Sequence, residues 1–380
     1  MRARQKRIHL ICAVLFAVAL PIALAQDVPF NKAPTYKYDP TWPKELPNKW
    51  TMEPITGMFV DPDDHIWVLQ RPRDFDKTEN FAALNPPAAE CCVQPPAVLE
   101  FNTEGDLLNA WGGPGAAPGW PSSEHTIFVD RQKNVWLGGA GAGDTLLRFT
   151  PDGKFLGEFG HRGPSGPDAG RKQDNQQTGL LLRGVAAAKL DEDAHEIYIA
   201  DGYLNKRVMV YDLDTGAFKR GWGAYGIPLS EIDNDPQPAH NPSGPPAKQF
   251  RSPVHCVQIS NDGFVYVCDR GGDRVQVFTK QGKFVKEIFV ANNALERGSV
   301  GSVAFSPDAK QQYIYVADIM DNVVWIVNRE TGATVGRMGH AGHAGGQFHY
   351  VHIAVTDSHG NVYAGEVDSG RRVQKFVPAN

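Results

Sequence analysis

Residues 254–289 read VHCVQIS, NDG, FVYVCD, RGGD, RVQVFT, KQG, KFVKEIF. The longer segments alternate apolar with polar residues and are rich in valine and aromatics, which suits a pleated, half-buried strand. The short segments between them each contain Gly, two of them with Asn or Asp, residues that tolerate tight turns. Together they describe four antiparallel strands joined by hairpins.

The same unit recurs along the chain. Its second strand reappears as IWVLQ after His65, VWLGG after Asn134, EIYIAD from Glu196, YIYVAD from Tyr313 and VYAGE after Asn361. Its third strand reappears as AVLEF from Ala97, TLLRF from Thr145, RVMVY from Arg207, VVWIV from Val323 and RVQKF from Arg372. Six four-stranded repeats predict an all-β, six-bladed β-propeller, because one blade cannot bury its own faces and a closed ring can. Five residues before each first strand ends stand Thr56, His125, Arg183, His255, Gly301 and His352, at intervals of 69, 58, 72, 46 and 51. The sixth repeat lacks a fourth strand, so a strand between Ala33 and Trp50 is expected to close the ring. The extra residues fall between 72 and 96, 161 and 182, and 223 and 252. Strand topology puts these Pro/Gly-rich loops on one face, where long loops on a rigid scaffold surround a binding site.

Composition narrows the function. Of 38 Lys+Arg and 43 Asp+Glu in 380 residues, four bases and no acid lie in the first 25, leaving a net charge of −9 on the rest. That argues against a nucleic-acid partner and against a polybasic membrane contact. The first 25 residues read as a secretory signal: bases, an apolar run from Leu10 to Leu20, then Ala23-Leu24-Ala25. Residues 26–380 then form a single propeller domain with a closing segment at 26–54, exported to the periplasm or beyond and expected to be monomeric. An uncleaved anchor is the alternative, although the apolar stretch is short for a span. Outside the signal, Cys91, Cys92, Cys256 and Cys268 remain. Cys256 and Cys268 flank a hairpin as cross-strand partners, paired or free. Cys91 and Cys92 fit a vicinal disulfide, two thiols or other pairings.

Two residue sets carry chemistry. His125, His255 and His352 share one register position in alternate blades, about 120° apart in a six-blade ring. Three imidazoles converging on the axis match a zinc site with three protein ligands and an open position. Three separately hydrogen-bonded channel histidines are the plain alternative. At the ends of second strands stand Arg71, Tyr203 and Arg270, on the same face. Cations beside a phenol favour its phenolate, and a guanidinium clamps a carboxylate through two hydrogen bonds. His65, His195 and His359 fall at turns of the opposite face. His340, His343 and His349 lie in a Gly-rich link on the active face.

These residues resemble a known family. From about Ile55 to Phe376 the chain is similar to the peptidyl-α-hydroxyglycine α-amidating lyases (peptidylamidoglycolate lyases). The most specific matches are DGYLNKRVMVY from Asp201, VHCVQIS and FVYVCDRGGDRVQVF. The resemblance implies an NHL-repeat propeller holding Zn²⁺ on His125, His255 and His352, with Arg71, Tyr203 and Arg270 as catalytic residues. It implies cleavage of the N–Cα bond of an N-acyl or peptidyl-α-hydroxyglycine bearing a free carboxylate, giving an amide and glyoxylate. The family's structural calcium would use the carbonyls of Met58 and Ile127 and an Asp; Ile353 stands in the place of that Asp, which counts against Ca²⁺ here. Arg183 stands where the family has a small polar residue. Two other functions fit a propeller: a non-catalytic NHL binding scaffold, or a metal-dependent hydrolase of lactones or esters. A scaffold needs no six-residue constellation, and such hydrolases favour carboxylate ligands over imidazoles.

Overall fold

A computed structural model describes residues 33–76, 78–162, 173–235 and 237–379. The expected signal segment, 1–25, lies outside them. The chain opens with β1 (Thr35–Asp39) and then forms six blades. Blade one holds β2 (Ile55–Val60), β3 (Ile66–Gln70), β4 (Val98–Phe101) and β5 (Leu107–Trp111); blade two holds β6 (Glu124–Val129), β7 (Val135–Gly139), β8 (Leu146–Phe149) and β9 (Phe155–Phe159). Blade three holds β10 (Val185–Asp191), β11 (Glu196–Asp201), β12 (Arg207–Asp212) and β13 (Phe218–Trp222); blade four holds β14 (Val254–Ile259), β15 (Phe264–Asp269), β16 (Arg274–Thr279) and β17 (Phe284–Phe289). Blade five holds β18 (Ser302–Phe305), β19 (Tyr313–Asp318), β20 (Val323–Asn328) and β21 (Thr334–Met338). Blade six holds β22 (Val351–Thr356), β23 (Val362–Glu366) and β24 (Arg372–Ala379), and β1 is its outermost strand. The expected six-bladed β-propeller is the observed fold.

A repeated side-chain device turns the first hairpin of several blades. Asp61 accepts from the amides of Asp63 and His65 and from the Trp67 indole. Asp130 does the same for Asn134 and Trp136, and Asp357 for Asn361 and the Tyr363 hydroxyl. Ser260 and Ser306 fill this place in blades four and five. Each carboxylate or hydroxyl satisfies turn amides that have no ladder partner.

The core is a set of wedges between neighbouring blades, not one central mass. Tyr198, Val208 and Val210 of blade three pack on Val257, Val265 and Phe278 of blade four. Trp67 and Leu69 of blade one pack on Val135 and Leu147 of blade two. The last wedge closes the circle, with Ile55, Val68 and Phe101 of blade one against Tyr363 and Val373 of blade six. Closure depends on β1, which pairs antiparallel with β24 from Thr35↔Ala379 to Asp39↔Lys375. Tyr36 of β1 also meets Tyr315 of blade five edge-on, with ring centroids 5.7 Å apart.

Counting along the chain misplaces one position. In blade three the inward position belongs to Ala186 and not to Arg183, because β10 runs on to Asp191 and the count of five starts there. Arg183 precedes the strand, and its amide donates to Asp201 Oδ1 at 2.6 Å. Cys256 and Cys268 face each other in register and are disulfide-bonded, as are Cys91 and Cys92. Among the described residues no helix is long and apolar enough to cross a membrane.

A chain that begins at residue 41 loses the β1–β24 ladder and the half-buried Tyr36 and Tyr38. Those two side chains are worth about 3 kcal/mol of apolar burial. Urea unfolding is expected to show a loss of that order; unchanged stability would show that β1 does not close the ring.

Candidate functional site

The inner strands carry an irregularity that builds the site. The ladder register slips between Glu124 and Thr126, Val254 and Cys256, and Val351 and Ile353. His125, His255 and His352 are the residues bulged out of pairing. A bulge re-aims its side chain, and these three turn onto the ring axis. Their rings are nearly perpendicular to one another, with centroids 4.9, 5.1 and 4.9 Å apart. Nε2 of His255 and Nε2 of His352 are 3.2 Å apart, and one ring nitrogen of each histidine lies within 4.8 Å of the others.

The intervening blades orient the imidazoles. His125 Nδ1 donates to the Ala186 carbonyl at 2.7 Å, and His255 Nδ1 to the Gly301 carbonyl at 2.5 Å. A carbonyl only accepts, so Nδ1 carries the proton and the Nε2 lone pair faces the axis. His352 Nδ1 finds no acceptor among the described residues. Burial, then the positive charges of Arg71 and Arg270, holds His125 far below its ordinary range, at about 3. Burial and Arg270 push His255 well down, and burial, the neighbouring His125 and the guanidinium groups of Arg270, Arg71 and Arg297 do the same to His352. At neutral pH all three imidazoles are therefore in the ligand form.

Tyr203 arrives by a tight turn after β11. A Cβ on Gly202 would lie 2.0 Å from the Val254 carbonyl oxygen, so only glycine lets the chain pass blade four this closely. Ser252 Oγ donates to the carbonyls of Gly202 and Tyr203 and ties this turn down. The Tyr203 hydroxyl lies 2.7 Å from His125 Nε2 and 3.0 Å from His255 Nε2. Arg270 places its guanidinium carbon 5.9 Å from the Tyr203 ring centroid and donates from Nε to the Arg297 carbonyl at 3.0 Å. Arg71 donates from Nε to the Glu124 carbonyl at 3.1 Å, beside His125.

All six expected site residues thus share one end of the channel, the end of the long loops. Loop residue Arg73 pairs there with Glu124. Arg297 was not visible from the repeat pattern; it stands in an interblade link, stacks over Tyr350 and pairs with Asp368. Met58, Ile127 and Ile353 line the channel below the histidines. On the opposite face His65 pairs with Glu100 at 2.8 Å, and His195 pairs with Asp214. His349 meets Ser369 in the link on the active face.

The donor set fits a metal. Three buried neutral imidazoles with converging Nε2 atoms, those of His125 and His255 fixed as lone pairs by their Nδ1 hydrogen bonds, suit Zn²⁺ or a similar borderline ion. Asp61, His65 and Glu100 also lie close together, but their groups are engaged in the turn and in the His65–Glu100 pair.

No protein-family model matches the chain. It is 26% identical over 293 residues to human NHL repeat-containing protein 3, covering 75% of this chain and 74% of that one. The chain is homologous to NHL-repeat proteins. The chain is also 25% identical over 260 residues to peptidyl-glycine alpha-amidating monooxygenase A of Xenopus laevis, and 28% over 165 residues to form B. It spans 24% and 16% of the length of those two proteins. A Bacteroides thetaiotaomicron protein of unknown function superposes with a TM-score of 0.55 at 14% identity, covering 90% of this chain and 73% of that one. A streptogramin B lyase superposes at 0.50 with 12% identity, covering 90% and 98%. These two likenesses concern the fold.

Two outcomes follow from the site. Zinc is expected to bind one ion per chain and to raise the melting temperature of the wild type but not of His255→Ala, since a ligand of the native state alone stabilises it. Equal shifts in both proteins would remove the triad as the ligand. In metal-free protein the unfolded imidazoles take up protons near pH ~6.5, while the folded ones resist, His125 down to about 3. Stability therefore falls as pH drops below about 6.5, by up to ~1.4 kcal/mol per pH unit for each histidine. Urea titrations at pH 7 and 5 should show a steeper loss in wild type than in the triple His125→Gln, His255→Gln, His352→Gln variant.

Proposed function

We propose that this NHL-repeat propeller is a zinc-dependent lyase that cleaves an N-acyl or peptidyl-α-hydroxyglycine into an amide and glyoxylate. The observation that carries this reading is the Tyr203 hydroxyl resting against two of three converging, neutral imidazoles, with Arg71 and Arg270 beside them. The similarity to two amidating enzymes supports it.

His125, His255 and His352 would hold the metal, and a bound Zn²⁺ supplies a Lewis acid for an oxygen ligand. Arg71 receives the substrate carboxylate, for which a planar guanidinium offers paired donors. Tyr203 takes the proton of the substrate hydroxyl as general base. The O–H electrons become the second C–O bond, the N–Cα bond breaks, and its electron pair leaves on the amide nitrogen, which takes a proton. Arg270, facing the Tyr203 ring, offsets the negative charge on the phenolic oxygen while it acts. Atoms balance without oxidant or reductant: one carbinolamide becomes one amide and one aldehyde. The substrate is a small molecule or peptide with a free carboxylate, acted on by a monomer. Export is supported by the two disulfides, which persist in oxidising compartments.

The test is glyoxylate release from α-hydroxyhippurate by zinc-loaded protein. Wild type is expected to release it, and Tyr203→Phe to lose about 10²-fold or more in kcat with metal content unchanged. Full activity in Tyr203→Phe would overturn the base assignment. No release despite one bound zinc would overturn the substrate, and no release without zinc binding would point to a scaffold.

A further inference from the structure

Below the three histidines the channel does not close. A cavity of about 510 Å³ runs from them to the face opposite the long loops, a volume typical of small-molecule sites. Its walls are mostly apolar, with Met58, Phe59, Ile127, Ile353 and Val355 among the residues that line it. Three residues beyond the bulge position, six residues form a ring around this cavity or its wall: Phe59, Phe128, Lys189, Gln258, Ala304 and Val355. One of them is ionisable. Lys189 and Gln258 stand on adjacent blades, each opposite the tyrosine of its neighbouring strand, Tyr198 and Tyr266.

Lys189 is the anomaly. It lies deep in the molecule, with part of its surface open to the channel, and its Nζ sits 5.5 Å from the Phe59 ring centroid. Neither its ammonium nor the Gln258 side-chain amide makes a hydrogen bond to the described residues. Glu192 is the sole carboxylate whose charge reaches Lys189 appreciably, and burial pushes the ammonium below its ordinary range. The acids at the channel rim are occupied. Asp61 and Asp357 hold their turns, and Asp64 accepts from the Ser358 amide and hydroxyl. A half-buried ammonium without a carboxylate partner loses part of its hydration, and a bound counter-charge relieves that cost.

We propose that this rear channel binds a monocarboxylate with a short hydrocarbon tail, its two oxygens held by Lys189 Nζ and Gln258 Nε2 and its tail against Phe59, Ile353 and Val355. Two donor groups match two carboxylate oxygens, whereas a phosphate would leave oxygens undonated against apolar walls. The same walls reject a cation, because Lys189 repels it and the rim carboxylates are engaged. The site is distinct from the Tyr203 face and does not depend on the lyase reading.

Calorimetric titration of the metal-loaded protein with hexanoate, acetate and hexylamine tests this. Hexanoate is expected to bind one per chain, at least about tenfold tighter than acetate because its extra methylenes enter the apolar wall, and hexylamine not at all. Lys189→Met should weaken hexanoate at least tenfold, Gln258→Leu should weaken it less, and Arg71→Met on the other face should leave it unchanged. Melting curves check that each variant is folded; if Lys189→Met fails to fold, Gln258→Leu with the hexylamine control decides. Equal hexanoate affinity in the wild type and the folded Lys189 or Gln258 variants, loss of binding in Arg71→Met, or equal binding of hexylamine would each overturn the proposal.

Discussion

Every blade of this protein has two apolar faces and can cover them only with its neighbours, so the structure rests on the ring being closed. Six wedges of side chains do the burying, and the strand pairing of β1 with β24 is what makes the sixth blade whole. Closure also leaves a hollow on the axis. In a solid core the bulged positions of the inner strands would be defects. Around a hollow they form a ring of positions that aims side chains at a common point, and His125, His255 and His352 use it.

The two ends of that hollow differ in charge chemistry. At the loop end, Arg71, Arg270 and Arg297 surround imidazoles that burial keeps neutral, so positive charge is supplied without protonating the nitrogens. Tyr203 is inserted between them by a glycine turn pressed on blade four. At the other end the walls are apolar, the rim carboxylates are spent on turns, and Lys189 stands without an acidic partner. A scaffold in which each inner strand contributes one residue per level can place unlike chemistries a few residues apart.

Much of this was legible in the residues because strands repeat. The period-2 pattern, the Gly/Asp turns and the second-strand aromatics mark each blade. A histidine five residues before a strand-ending Asp or Ser is therefore found by counting. The count failed at Arg183 because β10 is longer than its counterparts, and length is decided by pairing with β11 and not by local composition. Arg297 escaped because interblade links have no period to count along. Lys189 sat in plain view within a strand, but nothing local says that its side chain faces a cavity.

The sequence by itself determined the blade number, the closing strand and the register of the three histidines, since these follow from periodic burial of side chains on strands. Only the tertiary structure decided which nitrogens face the axis, that Cys256 pairs with Cys268, that Tyr203 touches His125 and His255, and that Ala186 and Gly301 orient the rings. Those contacts join different blades, with 52 to 78 residues between the tyrosine and its histidines. Distances across a closed ring are set by how all the wedges pack, and no single segment holds that information.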